Sequence, residues 1–242
     1  MCTVTFIPSR EGYRVGMNRD EHRTRVKGVF SGPRTQGQTQ VVGPAEPTGG
    51  MWIGANSFGV TYALLNWYSR PFDGIGKPIS RGKLVESVAW LGAKNEVQAY
   101  LVGQELKRFR PFRLVGVFGA EKKVSEWCWD GIQLGLLEHS WKIRHWASSG
   151  FDELGAQQAR RNVFESLSDS SELNGSQWLR SFHRSHLPEK GAMSVCMHRS
   201  EAATVSYTDF VVESGLVTVN YFDGPPCEVA SSAEAEILLV SS

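Results

Sequence analysis

The sequence predicts an α+β fold in which antiparallel sheets are flanked by helices. The chain has 242 residues, of which 41% are apolar and 21% are charged, an ordinary globular composition. Strand-like runs alternate with paired helical segments in the order strands, two helices, strands, two helices, strands. This order lacks the strand–helix–strand repeat of a parallel sheet. We therefore expect one continuous domain over residues 1–242.

The first predicted elements form a hairpin. Cys2–Ile7 is short, β-branched and apolar, Glu11 and Gly12 make a turn, and Tyr13–Met17 returns. Residues 31–50 are rich in glycine and proline and predict an extended loop. The later predicted strands are 51–55, 59–65, 112–118, 124–129, 132–137, 142–147, 193–197, 204–212 and 216–221.

Two helix pairs are predicted from apolar residues spaced three and four apart. They lie within residues 80–107 and 152–186. In the second pair, the predicted apolar stripe consists of Leu154, Ala159, Val163 and Leu167.

Charge and hydropathy exclude several classes of function. The formal charge of +1 gives no basic footprint for nucleic acid. No apolar run approaches the ~20 residues of a membrane-spanning helix. The start of the chain lacks the basic region of a secretion signal, so we expect a cytoplasmic protein with no nucleic-acid partner. The oligomeric state is not indicated.

The cysteines and histidines predict neither a disulfide scaffold nor a metal site. The cysteines are widely spaced, with no CxxC pair, and Cys196 and Cys227 are interpreted as structural or incidental. His183 and His186 lie three apart on a predicted helix, but the spacing suggests no third ligand, which favours an exposed helix. We expect no metal and no cofactor.

Cys2 carries the main catalytic hypothesis. Its small side chain predicts removal of the initiator methionine, which leaves a free α-amine beside the thiol. The amine and the thiol have ordinary pKa values of about 8 and about 8.5, so the amine can take the thiol proton. The alternative is a buried strand cysteine.

The predicted hairpin returns Asn18–Asp20 to the neighbourhood of Cys2. The Asp20 carboxylate can orient the amine, and the Arg19 guanidinium can stabilise thiolate or substrate charge. Asn66 ends an apolar run and can donate its amide N–H to an oxyanion. The alternatives are a solvated charged turn and an asparagine that merely ends a strand.

These segments resemble the NRDE family (relatives of transport and Golgi organisation protein two), named for the tetrapeptide found here at 18–21. They also resemble the wider cysteine N-terminal nucleophile hydrolases, such as bile salt hydrolase and penicillin V acylase. The match covers residues 1–67 and includes a Gly-x-Asn-x-x-Gly element at 54–59. The resemblance implies a four-layer αββα sandwich.

The resemblance also implies further site residues. The hydrolases have an arginine three residues before the aspartate, where this chain has Met17. A second oxyanion asparagine is expected near 145–150, where Ser148 or Ser149 stands, and a late arginine is best matched by Arg199. The predicted catalytic set is Cys2, Asp20, Asn66, Arg19, Ser148 and Arg199. The predicted substrate-binding set is Asn18, Asn56 and Trp67.

Two functional classes follow. The first is a hydrolase or acyltransferase that acts on a linear amide or acyl bond of a small molecule. The second is a non-catalytic carrier of an apolar ligand, because the resemblance links eukaryotic relatives to haem mobilisation and lipid metabolism. The candidate haem ligands are His145, His183 and Cys2, although no CxxCH signature occurs.

Overall fold

The computed structural model of the protein describes residues 2–168 and 175–240. Its strands are β1 (Cys2–Pro8), β2 (Gly12–His22), β3 (Arg34–Gln36), β4 (Thr39–Val42), β5 (Ile53–Asn56), β6 (Val60–Asn66), β7 (Phe112–Phe118), β8 (Lys123–Trp129), β9 (Leu134–His139), β10 (Arg144–Ser148), β11 (Ala202–Glu213), β12 (Leu216–Phe222) and β13 (Ala233–Leu238). Its helices are α1 (Gly82–Val88), α2 (Lys94–Val102), α3 (Glu153–Ser168) and α4 (Gly175–Arg184), and a short 3-10 helix covers Leu106–Arg108.

The strands form two antiparallel sheets. The first sheet has the order β10-β1-β2-β11-β12-β13, and the second has the order β3-β4-β5-β6-β7-β8-β9. The predicted N-terminal hairpin is confirmed, with Cys2 opposite Arg19. Gly59 has φ +71° in the turn between β5 and β6, a backbone conformation that glycine adopts readily.

Three apolar clusters show how the sheets and helices stack. The largest lies between the sheets, where Phe6 and Val15 of the first sheet meet Ile53 and Val115 of the second. A second cluster packs α1 and α2 on the outer face of the second sheet. A third holds α3 and α4 together on the first sheet's outer side. The predicted α+β fold, a four-layer αββα sandwich, is confirmed.

The prediction of an extended loop over 31–50 is wrong in part. This segment contains β3 and β4, which pair through Arg34 opposite Val41 around a turn at Gly37, whose φ is +60°. The outer strand has only polar side chains, so it lacks the alternation of apolar and polar residues that marks a half-buried strand. β13 was not predicted either, because its first four residues are alanine and glutamate, which are depleted in strands.

Two predictions, one of a strand and one of a strand's neighbours, are wrong because of long-range partners. Residues 193–197 do not form a strand, since the Ser194 and Val195 carbonyls accept hydrogen bonds from the side chains of Arg160 and Asn18. The segment 142–147 was predicted to continue a meander with its predecessors. Instead, β10 leaves that sheet and pairs with β1, with Cys2 opposite Ser148.

The helical regions are confirmed as α1 to α4, but the predicted stripe of α3 is shifted. Leu154 is 77% exposed, whereas Ala156, Arg160 and Val163 are buried. Residues 169–174 of the predicted region 152–186 lie outside the described residues. Among the described residues, no helix is both long and apolar enough to span a membrane.

Candidate active site

Cys2 lies between two neighbouring strands. Its partners across the sheet are Arg19 in β2 and Ser148 in β10. Directly opposed residues of antiparallel strands point to the same face, so all three side chains share one face of the sheet. The Cys2 backbone nitrogen donates a hydrogen bond to Ser148 Oγ at 3.1 Å. Ser148 therefore contacts the atom that becomes the α-amine when Cys2 is the first residue.

A cavity of about 320 Å³ opens beside Cys2. Arg19, Asp20 and Asn66 line it as well, so the structure brings four predicted catalytic residues to one cavity. The other charged residues of its lining are Glu21, Arg25, Glu46, Arg81 and Arg110.

The Cys2 thiol is buried, and burial raises its pKa above the ordinary value. The negative charge of Asp20 raises this pKa further, whereas a backbone hydrogen bond from Asp20 and the positive charge of Arg19 lower it. A thiol with a raised pKa is protonated at neutral pH. Attack on a carbonyl carbon therefore requires a base close to the sulfur.

The Asp20 carboxylate is held by side chains of two elements that the sequence did not reveal as partners, α3 and β11. Arg160 of α3, which is fully buried, places Nη2 3.3 Å from Asp20 Oδ2 and donates to Thr3 Oγ1 at 2.8 Å. The Thr204 hydroxyl donates to Asp20 Oδ1 at 2.7 Å. Both carboxylate oxygens therefore have a charged or a hydroxyl partner, which fixes the orientation of the carboxylate.

An irregularity in β11 contributes to this arrangement. The register shifts between Thr204, which is opposite Asp20, and Ser206, which is opposite Arg19. A β-bulge redirects side chains and is common beside active sites. Here Thr204 Oγ1 also accepts a hydrogen bond from the Met197 N–H at 2.8 Å, so the hydroxyl joins Asp20 to the segment that precedes β11.

The charges on one side of the cavity are paired. Glu46 Oε1 lies 2.9 Å from Arg19 Nη2 and 2.7 Å from Arg25 Nη2, and Arg25 Nη1 lies 3.0 Å from Glu21 Oε2. The Arg19 guanidinium also lies 4.2 Å from the centre of the Trp52 ring. Two arginines and two glutamates therefore balance one another.

Two further arginines of the cavity have no such balance. Arg81 donates to the Pro111 carbonyl at 2.9 Å, and the Arg110 guanidinium lies 5.2 Å from the Phe72 ring centre. Within residues 2–168 and 175–240, neither is in an ion pair with a carboxylate. Burial lowers the pKa of Arg81, and the positive charge of Arg110 adds to this effect. The cavity thus carries two uncompensated positive charges.

Solved structures of the conjugated bile acid hydrolase from Clostridium perfringens resemble this chain. One variant of that enzyme gives a TM-score of 0.53 at 12% identity, over 100% of this chain and 98% of the other. A second variant gives 0.50 at 14% identity, over 96% of each chain. Penicillin V acylase from Agrobacterium tumefaciens gives 0.48 at 12% identity, over 96% of this chain and 94% of the other. No protein-family model and no curated protein matches the sequence.

The chain has the N-terminal nucleophile hydrolase fold. At these identities, the likeness to the bile acid hydrolase concerns the fold. The narrower assignment to the NRDE family finds no support in the comparisons.

Within this fold, the guanidinium beside Asp20 comes from an unexpected element. The resemblance implies an arginine three residues before the aspartate, but Met17 is fully buried in the core between the sheets. Arg160 of α3 approaches Asp20 instead. Arg19 and Asp20 point to opposite faces of β2, as successive strand residues do. Arg19 therefore remains beside Cys2 while Asp20 meets Arg160.

Asn66 lines the cavity and has a donor left for an oxyanion. Its Nδ2 donates one hydrogen bond to the Tyr68 hydroxyl at 2.6 Å, and the amide group has a second N–H. The Glu153 carboxylate accepts from the Ser69 N–H at 2.7 Å, which fixes the chain beyond β6 against α3.

The three predicted substrate-binding residues lie outside the lining of this cavity. Asn18 is fully buried, and its Nδ2 donates to two backbone carbonyls at 2.9 Å. Asn56 closes the turn after β5, where its Oδ1 accepts from Phe58 and Val60 N–H groups. The Trp67 ring lies 4.6 Å from the Arg70 guanidinium.

Arg199 lies in a neighbouring cavity of about 200 Å³, which Asp20 also lines. It forms an ion pair with Glu201, and its guanidinium lies 4.7 Å from the Phe151 ring centre. The structure thus separates Arg199 from the lining of the Cys2 cavity, with Asp20 between the two cavities.

The prediction that His183 and His186 occupy an exposed helix is wrong. His183 is fully buried, and burial lowers its pKa to about 3. His186 lies beyond the end of α4, and its ring nitrogen is close to the side chains of Cys196, His198 and Cys227. The sequence spacing did not predict this cluster.

Proposed function

We propose that this protein is an N-terminal cysteine hydrolase or acyltransferase that acts on a linear amide or acyl bond of a small molecule. The observation that carries the proposal is the position of Cys2 in the cavity wall, with its backbone nitrogen bonded to Ser148 and with Asp20 beside it. The shared fold with an enzyme named as a conjugated bile acid hydrolase supports the same class of reaction.

In the proposed reaction, the free α-amine of Cys2 takes the thiol proton and the sulfur attacks the carbonyl carbon. The carbonyl π electrons move to oxygen, and Asn66 Nδ2–H stabilises the resulting oxyanion. Collapse of the tetrahedral intermediate breaks the bond to the leaving group, which receives the proton from the α-ammonium. Water or an acceptor amine or thiol then attacks the thioester and releases the acyl group.

We propose further that the substrate carries an anionic group. Arg81 and Arg110 are the uncompensated charges of the cavity, and a guanidinium without an ion-pair partner is stabilised by a carboxylate or a similar anion. The same lining disfavours the alternative of a carrier for an apolar ligand, since such sites are mostly apolar with few polar groups.

The test is intact-mass analysis after incubation with an activated amide or thioester. The mature protein is expected to begin at Cys2 and to gain one acyl group. Cys2→Ala is expected to abolish the adduct, and an extension before Cys2, which keeps the thiol but removes the free amine, is expected to abolish it nearly as fully.

Cys128→Ser provides the matched control. Cys128 is a half-buried cysteine of β8 outside the cavity, where burial raises the thiol pKa to about 12. This variant is expected to form the adduct at the wild-type rate. Undiminished adduct on Cys2→Ala, or on protein that retains Met1, contradicts the proposal. A stoichiometric Soret band with haem and no adduct favours the carrier.

A further inference from the structure

A cluster of two histidines and two cysteines lies outside the Cys2 cavity. His186 follows α4, Cys196 and His198 belong to the segment before β11, and Cys227 follows β12. One ligand atom from each lies within 4.8 Å of all the others. Cys196 Sγ is 3.4 Å from Cys227 Sγ and 3.5 Å from His198 Nε2, which is 3.3 Å from Cys227 Sγ.

We propose that these four side chains form a structural zinc site. Zinc is bound tetrahedrally by Cys2His2 sets, with Zn–S near 2.3 Å and Zn–N near 2.05 Å. A tetrahedron with these bond lengths separates two sulfurs by about 3.8 Å and a sulfur from a nitrogen by about 3.6 Å. The observed separations among Cys196, His198 and Cys227 lie within a few tenths of an ångström of these values. The His186 ligand atom lies within 4.8 Å of each of the other three, so a movement of its ring towards them would complete the shell.

The donor set favours zinc over other common cations. Two thiolates and two imidazoles are soft and borderline ligands, unlike the oxygen ligands that magnesium and calcium require. Four protein ligands fill a tetrahedral shell and leave no position for water, which indicates a structural role.

The chemical state of the cluster suits metal binding. His186 Nε2 is buried and has no hydrogen-bond partner among residues 2–168 and 175–240. Binding of one Zn²⁺ would displace one proton from each thiol and involves no oxidation or reduction.

A disulfide between Cys196 and Cys227 explains less of the arrangement. Both cysteines are free, and their sulfurs lie 3.4 Å apart, whereas a disulfide requires about 2.05 Å. A disulfide also gives no role to the two imidazoles that meet at the sulfurs.

The proposed ion would fix the segment that supports Asp20. The Ser194 hydroxyl donates to the Cys196 carbonyl at 2.7 Å, and the Ser194 carbonyl accepts from Arg160 Nε at 3.1 Å. One residue beyond Cys196, the Met197 N–H donates to Thr204 Oγ1. Ser194 and Met197, which flank the proposed ligand Cys196 in the chain, therefore bind the two side chains that hold the Asp20 carboxylate.

The first test uses the wild-type chain, purified without chelators and dialysed against metal-free buffer. About one zinc per chain is expected by elemental mass spectrometry. After the zinc is removed, Co²⁺ is expected to bind at one equivalent, with the intense visible bands of tetrahedral cobalt and a thiolate charge-transfer band. Absence of both zinc and the tetrahedral cobalt spectrum overturns the proposal. A mass lower by two hydrogens in the purified protein without metal, which indicates a disulfide, also overturns it.

Variants locate the site. Cys196→Ser and Cys227→Ser are expected to retain less than about a tenth of the metal, whereas Cys2→Ala and Cys128→Ser retain all of it. His198→Cys keeps four ligands and is expected to bind cobalt with a stronger thiolate band, which tests the site in a variant with an intact shell. Equal loss of metal in Cys128→Ser, or an unchanged spectrum in Cys196→Ser, assigns the metal elsewhere and overturns the proposal.

Discussion

The Arg160 guanidinium and the Asp20 carboxylate form a fully buried ion pair, although 140 positions separate them in the chain. Nη2 lies 3.3 Å from Oδ2, and the side chains of both residues are inaccessible to solvent. The pair connects α3 of the outer helical layer with β2, the strand beside Cys2. It therefore links the packing of a helix to the orientation of a candidate catalytic carboxylate.

Removal of the Arg160 charge is expected to destabilise the protein strongly. Arg160→Met leaves Asp20 buried without its cationic partner, which costs about 3–5 kcal/mol in the free energy of unfolding. Urea denaturation measures the change. Arg161→Met, on the exposed side of the same helix, is the control and is expected to cost less than about 0.5 kcal/mol. Equal effects of the two variants would show that the ion pair has no special role.

Ser148→Ala is expected to slow formation of the acyl adduct. The change removes the acceptor of the Cys2 N–H, and one hydrogen bond of about 0.5–1.5 kcal/mol corresponds to a rate decrease of at most about tenfold. Rapid-quench intact mass gives the rate. Ser149→Ala removes a neighbouring buried hydroxyl that accepts from Phe151 N–H, and it is expected to change the rate by less than about twofold. A larger effect of Ser149→Ala would rule out this role for Ser148.

Arg110→Gln is expected to impair reaction with anionic substrates alone. Loss of a charge-assisted hydrogen bond of about 1.5–3 kcal/mol lowers kcat/KM by about ten- to hundredfold. The measurement is kcat/KM for pairs of acyl compounds that differ only in whether a carboxylate is free or amidated. The amidated member should react equally with the wild-type protein and with Arg110→Gln. Arg108→Gln, whose arginine pairs with Glu105 outside the cavity, is the control. Equal loss for both members of a pair speaks against an anion site.

His183→Phe is expected to improve stability in acid. The folded pKa of His183 is lowered to about 3 by burial, whereas the unfolded chain binds this proton below its ordinary value near 6.5. The free energy of unfolding therefore decreases by up to about 1.4 kcal/mol per pH unit as the pH falls from about 6.5 towards 3. Denaturation at a series of pH values gives the slope of the unfolding free energy against pH. In the variant this slope should be smaller by about 1.4 kcal/mol per pH unit, the contribution of one proton. An unchanged slope in the variant would contradict this role of His183.

Local sequence predicted the parts of the site that depend on short-range pairing. A hairpin fixes its register over about twenty residues, so the proximity of Cys2 to Arg19 and Asp20 follows from the turn at Gly12. Asn66 was found because it ends an apolar run. The hypothesis that these residues are catalytic remains a prediction.

The remaining features depend on contacts between distant segments. Arg160 lies on the buried face of α3. A charged residue on a buried helix face indicates a buried partner, but the predicted stripe was placed on other residues, so this signal was missed. The cysteine–histidine cluster joins segments on either side of β11 and β12, with no standard ligand spacing. Arg81 and Arg110 meet only where the chain before α1 lies beside the segment after the 3-10 helix.

The crossing of β10 into the first sheet sets an order of events during synthesis. Cys2 is enclosed on one side by β2, which is made almost immediately, and on the other by Ser148, 146 positions later. Until β10 emerges from the ribosome, this edge of β1 is unpaired. Once β10 is in place, the Cys2 nitrogen is engaged by Ser148. Closure of the sheet by β10 is therefore the step that brings Ser148 to the nitrogen proposed to act as the base.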